Sequence, residues 1–577
     1  MQIVWPNPFH KIKHLWYCMA LLTCIIVTRL FYLQITQAAL FTAQGTKNFL
    51  RIERIPCPRG NIIDSKGLFL ATNRPTIDVY WQGTGNSNLT ADQQQTLSKL
   101  EKIINIPISA DEPLIKTISK GEKQYKTVFL ACDISFEQLS KLEEQLTNKA
   151  NIVLRSNFKR FYPYQTYASH IVGYLGTFNL KPMGKMGLEQ LLETQLQGEQ
   201  GIRLKTINSL GRHLEQHEVK QSLAGQNIQV TIDIELQRMI EEVFPQEYTG
   251  TFILMDPLDG SLVALVSRPN FDPAVFLEHI KTESWQQLQE KQPFLNRAFN
   301  ACYPPGSIFK LVTTSAALEH NIINPDDSWY CKGYVTFANR QYFCHNREGH
   351  GRLSAQKGLA NSCNTMFFEL AKKMDIDLIA DYAHRFGLGQ PTNIIFPEKI
   401  GIVPSRKWKL ANKGERWWPG ETLSAVIGQS FLLVTPIQVA RMISSIFTGY
   451  LVTPRILINE PVIKQPIKIA NSTRAFLRNS MQLVVKEGTG QRVNRIKDIE
   501  IYAKTSTAQT SAYNKRTLGS LYQEHAWFVA HFNYKENRSL TFVILIEHAG
   551  SSRVATEVAK RFLIEYKKLI DRQERMS

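Results

Sequence analysis

The sequence contains little cysteine, and this scarcity limits the kinds of protein that it can encode. Eight cysteines in 577 residues are too few for a scaffold stabilised by disulfides. There is no fixed-period repeat and no low-complexity tract, which excludes a solenoid and a fibrous chain. Hydrophobic residues make up 43% and charged residues 20%, close to globular proteins in general, so the chain is not wholly disordered.

Long hydrophobic runs are also scarce, and a single run near the N-terminus is long enough to cross a membrane. Residues 15–33 carry one charge, Arg29, and as a helix they would rise about 28 Å at about 1.5 Å per residue. Because Lys11 and Lys13 precede this run, the positive-inside rule predicts residues 1–14 in the cytoplasm and the body outside the membrane. The alternatives are a cleaved signal peptide and a buried core helix.

Acidic residues are too few to balance the basic ones. Lys and Arg number 68 and Asp and Glu number 50, which gives a net charge of +18. Such an excess favours an anionic partner, such as a membrane surface or an acidic polymer. We do not expect nucleic acid as a partner, because most of the chain is predicted to be exported.

The exported body divides into two parts, residues 34–229 and residues 230–577. The first part mixes short strands with helical stretches. The second part begins with a strand over 228–232 and a helix that Asp233 is predicted to cap. A hairpin around Asp259-Gly260, a long helical middle, two strands and a terminal helix follow. This order predicts an α+β fold with a largely antiparallel sheet flanked by helices.

The segment after Pro304-Pro305-Gly306 carries the sharpest chemical signal. Ser307 and Lys310 are three residues apart on a predicted helix, so they share one face. Ser307 would lie in the first turn, where the helix dipole and free N–H groups favour a developing alkoxide. A partly desolvated lysine can act as the base that a serine nucleophile needs. Taken alone, this S-x-x-K spacing is more typical of a capping serine beside a solvated lysine.

Two further motifs follow in the order that serine acyl transferases show. Ser362-Cys363-Asn364 supplies a hydroxyl and an amide, and Lys504-Thr505-Ser506-Thr507 follows a strand-like segment. S-x-x-K, S-D-N and K-T-G are the motif set of penicillin-binding proteins and class A β-lactamases. We therefore predict a catalytic set and a substrate-binding set. The catalytic set is Ser307, Lys310, Ser362, Asn364 and Lys504, and the substrate-binding set is Thr505, Ser506 and Thr507.

The chain resembles the class B penicillin-binding proteins of the elongation type over nearly its whole length. Enzymes that share only the three motifs, such as β-lactamases, lack a counterpart of residues 34–229. The similar segments are PRGNIIDSKG (58–67), NRPTIDVYW (73–81), RFYPYQTYASHIVGYLG (160–176), GLEQ (187–190), MDPLDGSLVALVSRPNFDP (255–273), NRAFNACYPPGSIFK (296–310), VPSRKWK (403–409), IGQSFLLVTPIQVAR (427–441) and KEGTGQ (486–491). The resemblance implies a transmembrane anchor, a pedestal of the dimerisation type over 34–229 and a transpeptidase domain over 230–577.

The resemblance also implies an activity. Such a protein is a D,D-transpeptidase that cross-links peptidoglycan stem peptides during cell-wall elongation and shape maintenance, and it binds penicillin. Ser307 would attack the penultimate D-Ala carbonyl, and Lys310 would take the serine proton. Ser362 would relay a proton to the leaving group, and Asn364 would bind the substrate amide.

The third motif would complete the site. By the resemblance, Lys504 would keep Lys310 and Ser362 correctly protonated. It would also attract the terminal carboxylate of the substrate, which the Thr505 and Thr507 hydroxyls would help to bind. The backbone N–H groups of Ser307 and Thr507 would form the oxyanion hole, at about 3 kcal/mol per donor. This chain departs from the family at Ser506, where the motif has Gly. A side chain there crowds the approach of a substrate backbone, so we expect a narrower cleft and weaker acylation by β-lactams.

Four residues near the second motif have the chemistry of a metal site. Cys331, Cys344, His350 and Cys363 follow the spacing C-x12-C-x5-H-x12-C, a soft set of the right number for one closed tetrahedral zinc ion. Members of the family hold a zinc ion beside the active site in a similar arrangement. The alternatives are a Cys331–Cys344 disulfide and replacement of one ligand by His345.

Three functions stay open from the sequence. The first is an active transpeptidase, with some residual D,D-carboxypeptidase activity. The second is a catalytically weakened scaffold or activator of a glycan polymerase, which the change at Ser506 permits. The third is a hydrolase or a β-lactam sensor, which the pedestal-like front half disfavours. The resemblance implies a multi-span SEDS-type glycosyltransferase as the membrane partner, contacted through the anchor and the pedestal.

Overall fold

The computed structural model of the chain describes residues 8–42, 50–146, 151–178, 181–207, 213–278, 280, 282–510, 519–535 and 539–576. Residues 1–7 of the predicted cytoplasmic N-terminus lie outside these ranges. The chain forms two compact units. The first unit is Met1–Arg59, Asn73–Lys159 and Gln197–Gly225, and the second unit is Gly60–Thr72, Arg160–Leu196 and Gln226–Ser577.

The N-terminal run forms a helix, α1 (Pro8–Phe31), which continues as a π-helical turn over Tyr32–Thr36. The stretch Ile12–Thr36 contains an 18-residue segment with a mean hydropathy of 1.9, and this segment is not buried against the rest of the protein. Among the described residues it is the only helix that is long and apolar enough to span a membrane. This exposure excludes the alternative of a buried core helix and fits a single-pass membrane anchor.

Short strands and helices alternate over residues 50–229. The strands are β1 (Leu50–Ile55), β2 (Ile62–Ile63), β3 (Phe69–Gln82), β4 (Thr127–Ala131), β5 (Ile152–Phe161), β6 (Leu175–Phe178), β7 (Lys181–Gly184), β8 (Gly201–Ile207), β9 (His213–Lys220) and β10 (Ile228–Gln229). The helices are α2 (Ala91–Ile104), α3 (Glu112–Lys123), α4 (Phe136–Gln145), α5 (Ser169–Val172), α6 (Gly187–Leu191) and α7 (Glu193–Leu196).

The first unit has a sheet and a core of its own. β1, β8 and β9 form an antiparallel sheet. Val79 and Trp81 of β3 pack with Leu97 and Leu100 of α2 in one apolar core. Glu122 is buried beside this core, and its carboxylate accepts a hydrogen bond from the Trp81 indole at 3.0 Å. The buried charge is therefore satisfied by a neighbouring donor.

The second unit continues with longer elements after residue 230. Its further strands are β11 (Gly250–Met255), β12 (Leu262–Arg268), β13 (Ser328–Cys331), β14 (Tyr334–Phe337), β15 (Arg340–Phe343), β16 (Gly351–Ser354), β17 (Tyr450–Val452), β18 (Lys464–Pro466), β19 (Ile499–Ala508), β20 (His525–Tyr534) and β21 (Ser539–Ile546). Its further helices are α8 (Ile234–Val243), α9 (Thr282–Glu290), α10 (Lys310–Glu319), α11 (Ala355–Ala360), α12 (Asn364–Ala371), α13 (Ile376–Arg385), α14 (Arg406–Lys413), α15 (Pro419–Ala425), α16 (Pro436–Thr448), α17 (Asn471–Lys486) and α18 (Ser552–Met576).

A five-stranded antiparallel sheet in the order β12-β11-β21-β20-β19 forms the centre of the second unit. Successive side chains point to opposite faces, so alternate residues enter different cores. Phe252 and Leu254 pack in one core with Phe562 of α18. Ile253 and Met255 belong to the other core, which holds apolar residues of α10, α12, α13 and α16. This layered arrangement confirms the predicted α+β fold.

The start of the second part agrees with the sequence in all but one detail. The predicted hairpin is β11–β12, and Asp233 caps α8 by accepting a hydrogen bond from the N–H of Glu235 at 3.0 Å. The predicted strand over 228–232 is shorter, because the chain changes partners after Gln229. Ile228 and Gln229 pair with β2, whereas Val230 forms a bridge with Leu457.

Candidate active site

Ser307 lies in a 3₁₀ turn, Gly306–Phe309, that leads directly into α10. This position matches the predicted first helical turn. Gly306 has a φ of 54°, in the left-handed region that favours glycine. The Gly306 N–H donates to the Gly428 carbonyl at 2.9 Å. A glycine before the nucleophile thus permits the sharp entry of the chain into the helix.

The Lys310 ammonium group lies in a fully buried position between the first two motifs. Its Nζ donates to Asn364 Oδ1 at 2.7 Å and to the Ser362 carbonyl oxygen at 2.8 Å, and it lies 3.2 Å from Ser362 Oγ. Burial lowers the pKa of Lys310 to about 8, while the nearby Cys363 and Cys344 thiol groups raise it by a smaller amount. A lysine with such a pKa is partly neutral near physiological pH and is able to accept a proton.

The loop between α11 and α12 brings the second motif to this lysine. Ser362 is buried and has a φ of 56°, an unusual conformation for a residue with a side chain. The Cys363 N–H donates to the Gly358 carbonyl at 2.9 Å, and Asn364 begins α12. This hydrogen bond and the start of α12 hold the loop, and the Ser362 and Asn364 side chains both contact Lys310.

Lys504 lies on the edge strand β19 and is fully buried. Burial, and then the charge of Lys310, hold the pKa of Lys504 well below its usual range. The hydrogen bond from the Ser307 N–H to Ser506 Oγ joins the first motif to the third. The sequence placed the motif at the end of a strand, whereas β19 runs through it as far as Ala508.

The hydroxyls of Thr505 and Thr507 have partners that the sequence analysis missed. Thr505 Oγ1 lies 2.5 Å from Thr489 Oγ1, and Thr507 Oγ1 accepts a hydrogen bond from the Ser552 N–H at 3.1 Å. Thr489 belongs to the segment KEGTGQ, which carries part of the family resemblance, and nothing in the sequence signals Ser552. The acceptor role of Thr507 leaves its own hydroxyl proton available for a substrate carboxylate.

The Ser506 side chain contacts the backbone of Ser307. Its Oγ accepts a hydrogen bond from the Ser307 N–H at 2.8 Å. The side chain is 2% exposed, so it is enclosed beside the nucleophile's backbone. Strand alternation places Ser506 on the same face of β19 as Lys504.

The four predicted metal ligands come together beside the second motif. The ligand atoms of Cys331, Cys344, His350 and Cys363 all lie within 4.8 Å of one another. The Nδ1 atom of His350 lies 3.5 Å from Cys331 Sγ and 3.6 Å from Cys344 Sγ. Bonds of about 2.3 Å to sulfur and about 2.1 Å to nitrogen, at a tetrahedral angle, place these atoms about 3.6 Å apart. The spacing therefore fits one zinc ion.

The thiol chemistry of the cluster also fits a metal. Hydrogen bonds from the Cys363 thiol, His345 and backbone N–H groups lower the pKa of Cys344, while the same contact with Cys344 raises the pKa of Cys363. Cys344 is thus the more readily deprotonated thiol of the pair, and metal binding requires the thiolate form. Cys331 and Cys344 are both free cysteines in this structure. His345 Nδ1 lies 3.8 Å from Cys344 Sγ, outside the four-residue set.

Family models match both parts of the chain. Residues 250–563 match the penicillin binding protein transpeptidase domain, and residues 54–230 match the penicillin-binding protein dimerisation domain. Since the first match alone covers more than half of the chain, the chain belongs to the family of penicillin-binding protein transpeptidases.

Full-length relatives and solved structures are similar to the whole chain. A protein of Haemophilus influenzae named Peptidoglycan D,D-transpeptidase MrdA is 28% identical over 95% of this chain and 90% of its own length. A Helicobacter pylori structure titled as a complex between penicillin-binding protein PBP2 and MreC has a TM-score of 0.77 and 27% identity, and it covers 90% of this chain and 99% of its own. A structure from a peptidoglycan synthase complex, described as coordinating polymerization and crosslinking, has a TM-score of 0.73 and 26% identity, and it covers 96% of this chain and 97% of its own.

Proposed function

We propose that this chain is a serine D,D-transpeptidase that cross-links peptidoglycan stem peptides during cell-wall elongation. The observation that carries the proposal is the position of Lys310, one helical turn after Ser307, buried, and hydrogen-bonded to Ser362 and Asn364. The family match and the full-length similarity to relatives named peptidoglycan D,D-transpeptidase support the choice of reaction.

The first half-reaction forms an acyl-enzyme. Neutral Lys310 takes the proton of Ser307 as its Oγ attacks the carbonyl of the penultimate D-Ala. The C–N bond to the terminal D-Ala then breaks, and the leaving amine takes a proton that Ser362 relays from Lys310. Asn364 positions the substrate amide. The hydrogen bonds that Lys310 makes to both residues of the second motif support these roles.

The second half-reaction resolves the acyl-enzyme. The amine of a neighbouring stem peptide attacks the ester carbonyl, loses a proton to the base and releases Ser307 as a hydroxyl. The charge of Lys504 attracts the terminal carboxylate of the donor, and the Thr505 and Thr507 hydroxyls bind it. Water in place of the amine gives residual D,D-carboxypeptidase activity.

Labelling with a fluorescent penicillin tests this function. The detergent-purified full chain should become covalently labelled, and Ser307→Ala should not. Ser445→Ala is a matched control, because Ser445 is a buried helical serine far from the three motifs in sequence. If the chain labels neither with penicillin nor with a stem-peptide thioester, it is not an acyl transferase, and the alternative of a scaffold or activator is then favoured.

Cys331, Cys344, His350 and Cys363 would hold one structural zinc ion. A closed site with four protein ligands supplies no reacting group and instead fixes the loop that contains Ser362 and Asn364. The 3.5 Å and 3.6 Å separations of the ligand atoms support this assignment. Elemental analysis of the purified chain should give one zinc per protein. Absence of zinc together with two missing thiols would instead establish a disulfide.

The anchor would place the body outside the inner membrane of a bacterium, with the N-terminus in the cytoplasm. Lys11 and Lys13 at the start of the span support this orientation. Exposed Cys132 provides a test. A membrane-impermeant maleimide added to intact spheroplasts should modify wild type and should modify Cys132→Ser less. Equal modification of the two would contradict the orientation.

The membrane partner would be a SEDS-type glycosyltransferase, with the anchor and the pedestal as its contacts. The similarity to a chain from a peptidoglycan synthase complex supports this proposal. Co-expression with such a polymerase should allow both proteins to be purified together in detergent. Replacement of residues 15–33 by an unrelated membrane helix should weaken that association, and an unchanged yield would exclude the anchor as a contact.

A further inference from the structure

The Ser506 hydroxyl accepts the hydrogen bond of a backbone N–H that an acyl-transfer oxyanion needs. The Ser307 N–H donates to Ser506 Oγ at 2.8 Å. When a serine at the start of a helix attacks a carbonyl, its own N–H is well placed to stabilise the negative charge that develops on the carbonyl oxygen. In this chain the donor is already satisfied by a side chain.

The surroundings hold the Ser506 hydroxyl in this position. A Cβ atom on Gly306 would lie 2.3 Å from Ser506 Oγ and 3.2 Å from Ala508 Cβ, so the missing side chain of Gly306 provides the space that the hydroxyl fills. On the next strand, Trp527 pairs with Ser506, and its indole donates to the Pro304 carbonyl at 3.1 Å. The contacts thus fix both sides of the Ser307–Ser506 hydrogen bond.

We propose that Ser506 is a positioning residue whose hydroxyl holds the Ser307 N–H in the free enzyme, so that this donor is not available to an oxyanion. We call this hydrogen bond the latch. An acyl donor has to displace the Ser506 hydroxyl, and the Ser307 N–H then transfers its hydrogen bond to the carbonyl oxygen of the donor. No covalent bond changes in this step, because only the Ser506 side chain rotates. Such rotations are fast, so the latch lowers the rate through the equilibrium between the two hydrogen bonds.

This inference rests on the proposed function and differs from simple crowding of the cleft. Crowding would come from Cβ of Ser506, whereas the latch comes from Oγ. Two substitutions separate these atoms. Ser506→Ala removes the hydroxyl and keeps Cβ, and Ser506→Gly removes both.

The test measures the second-order rate of acylation of Ser307 by a D-Ala thioester and confirms the adduct by intact mass. We expect both variants to react about three to ten times faster than wild type, which is the effect of one neutral hydrogen bond. Melting temperatures of the variants show that they remain folded. Faster acylation of Ser506→Gly alone would assign the effect to Cβ and overturn the latch. Slower acylation of Ser506→Ala would overturn it as well, because the hydroxyl would then assist the oxyanion.

A second readout separates the hydrogen bond from a general change of shape. An ester and its thionoester analogue differ in the acceptor atom, and sulfur accepts hydrogen bonds weakly. We expect Ser506→Ala to raise the ester-to-thionoester rate ratio about three- to ten-fold. An equal gain for both donors would show a steric effect and overturn the latch. If wild type forms the adduct and Ser506→Ala gains nothing, the latch alone is wrong. If no form of the chain gives an adduct, both the latch and the proposed function are wrong.

Discussion

Lys310 Nζ lies 2.7 Å from Asn364 Oδ1, at a position that is fully buried. This contact joins the first catalytic motif to the second across 54 residues of sequence. A buried ammonium group keeps hydrogen-bond partners but loses hydration, so its proton is held less tightly than in water. Under the proposed function, this burial makes Lys310 available as a neutral base for Ser307.

Replacement of Lys310 should abolish acylation while leaving the fold intact. Lys310→Met keeps an unbranched side chain in the buried site but has no amine, and loss of a general base costs about 10²- to 10⁴-fold in rate. The rate of penicillin labelling measures the effect. Exposed Lys373 provides a matched control, so Lys373→Met should label at the wild-type rate. Equal labelling of the two variants would show that Lys310 is not the base.

The acylation rate should rise with pH and level off above about 8. Because Lys310 acts as a base when neutral and burial lowers its pKa to about 8, the rate falls as the pH drops below that value. The groups that face this amine are Lys504 on β19 and the thiols of Cys344 and Cys363. Stopped-flow acylation between pH 6 and pH 10 measures the profile, and a rate that does not change across pH 8 would contradict the assignment.

Asn364→Asp should move this pH profile upward. The new carboxylate would lie beside the Lys310 ammonium group and stabilise its charged form, which raises the lysine pKa. The variant should therefore be slower than wild type at pH 7 and regain part of the rate at higher pH. Asn364→Ala, which adds no charge, should lower the rate without the upward shift. A profile unmoved by Asn364→Asp would show that the contact does not control the base.

Much of this site could be predicted from the sequence because its information is local. The spacing of Ser307 and Lys310, the second motif and the β19 motif each specify a residue type at a fixed chain position. The central sheet was also predictable, since β11 and β12 flank a clear turn at Asp259-Gly260. The family match over residues 250–563 confirms the resemblance that these motifs indicate.

The parts that escaped prediction depend on which residues meet across the fold. Side-chain direction at Ser506 follows from the pairing of β19 with β20, and the sequence alone does not fix that register. The partners Thr489 and Ser552 lie on separate elements and have no motif of their own. The domain boundaries predicted at residues 34, 229 and 230 stay predictions. The second unit includes Gly60–Thr72 and Arg160–Leu196, so the compact units do not follow a single cut in the sequence.

Removal of the proposed zinc ion should loosen the second motif. Cys363 lies between Ser362 and Asn364, so loss of an ion from the cluster would release the residues that hold Lys310. We expect Cys331→Ser to lose zinc, to melt at a lower temperature and to acylate more slowly. Exposed Cys132 lies in the first unit, and Cys132→Ser should behave as wild type. Full zinc content in Cys331→Ser would remove that residue from the ligand set.

The second unit should depend on a buried ion pair outside the active site. Arg160 Nε lies 2.7 Å from Glu189 Oε1, and the two side chains are 2% and 0% exposed. Arg160→Ala leaves a buried carboxylate without its cation, which costs about 3–5 kcal/mol in the free energy of unfolding. Denaturant unfolding of the second unit measures the loss. Lys141→Ala breaks a solvent-exposed pair and should have little effect, so equal losses would contradict the importance of burial.

Intact-mass analysis of the chain after incubation with benzylpenicillin tests the central claim most directly. We predict a mass increase of one penicilloyl group, mapped by peptide digestion to Ser307, and no increase in Ser307→Ala. An adduct on another residue, or none with either penicillin or a stem-peptide thioester, would contradict the claim that Lys310 makes Ser307 the acyl-accepting nucleophile.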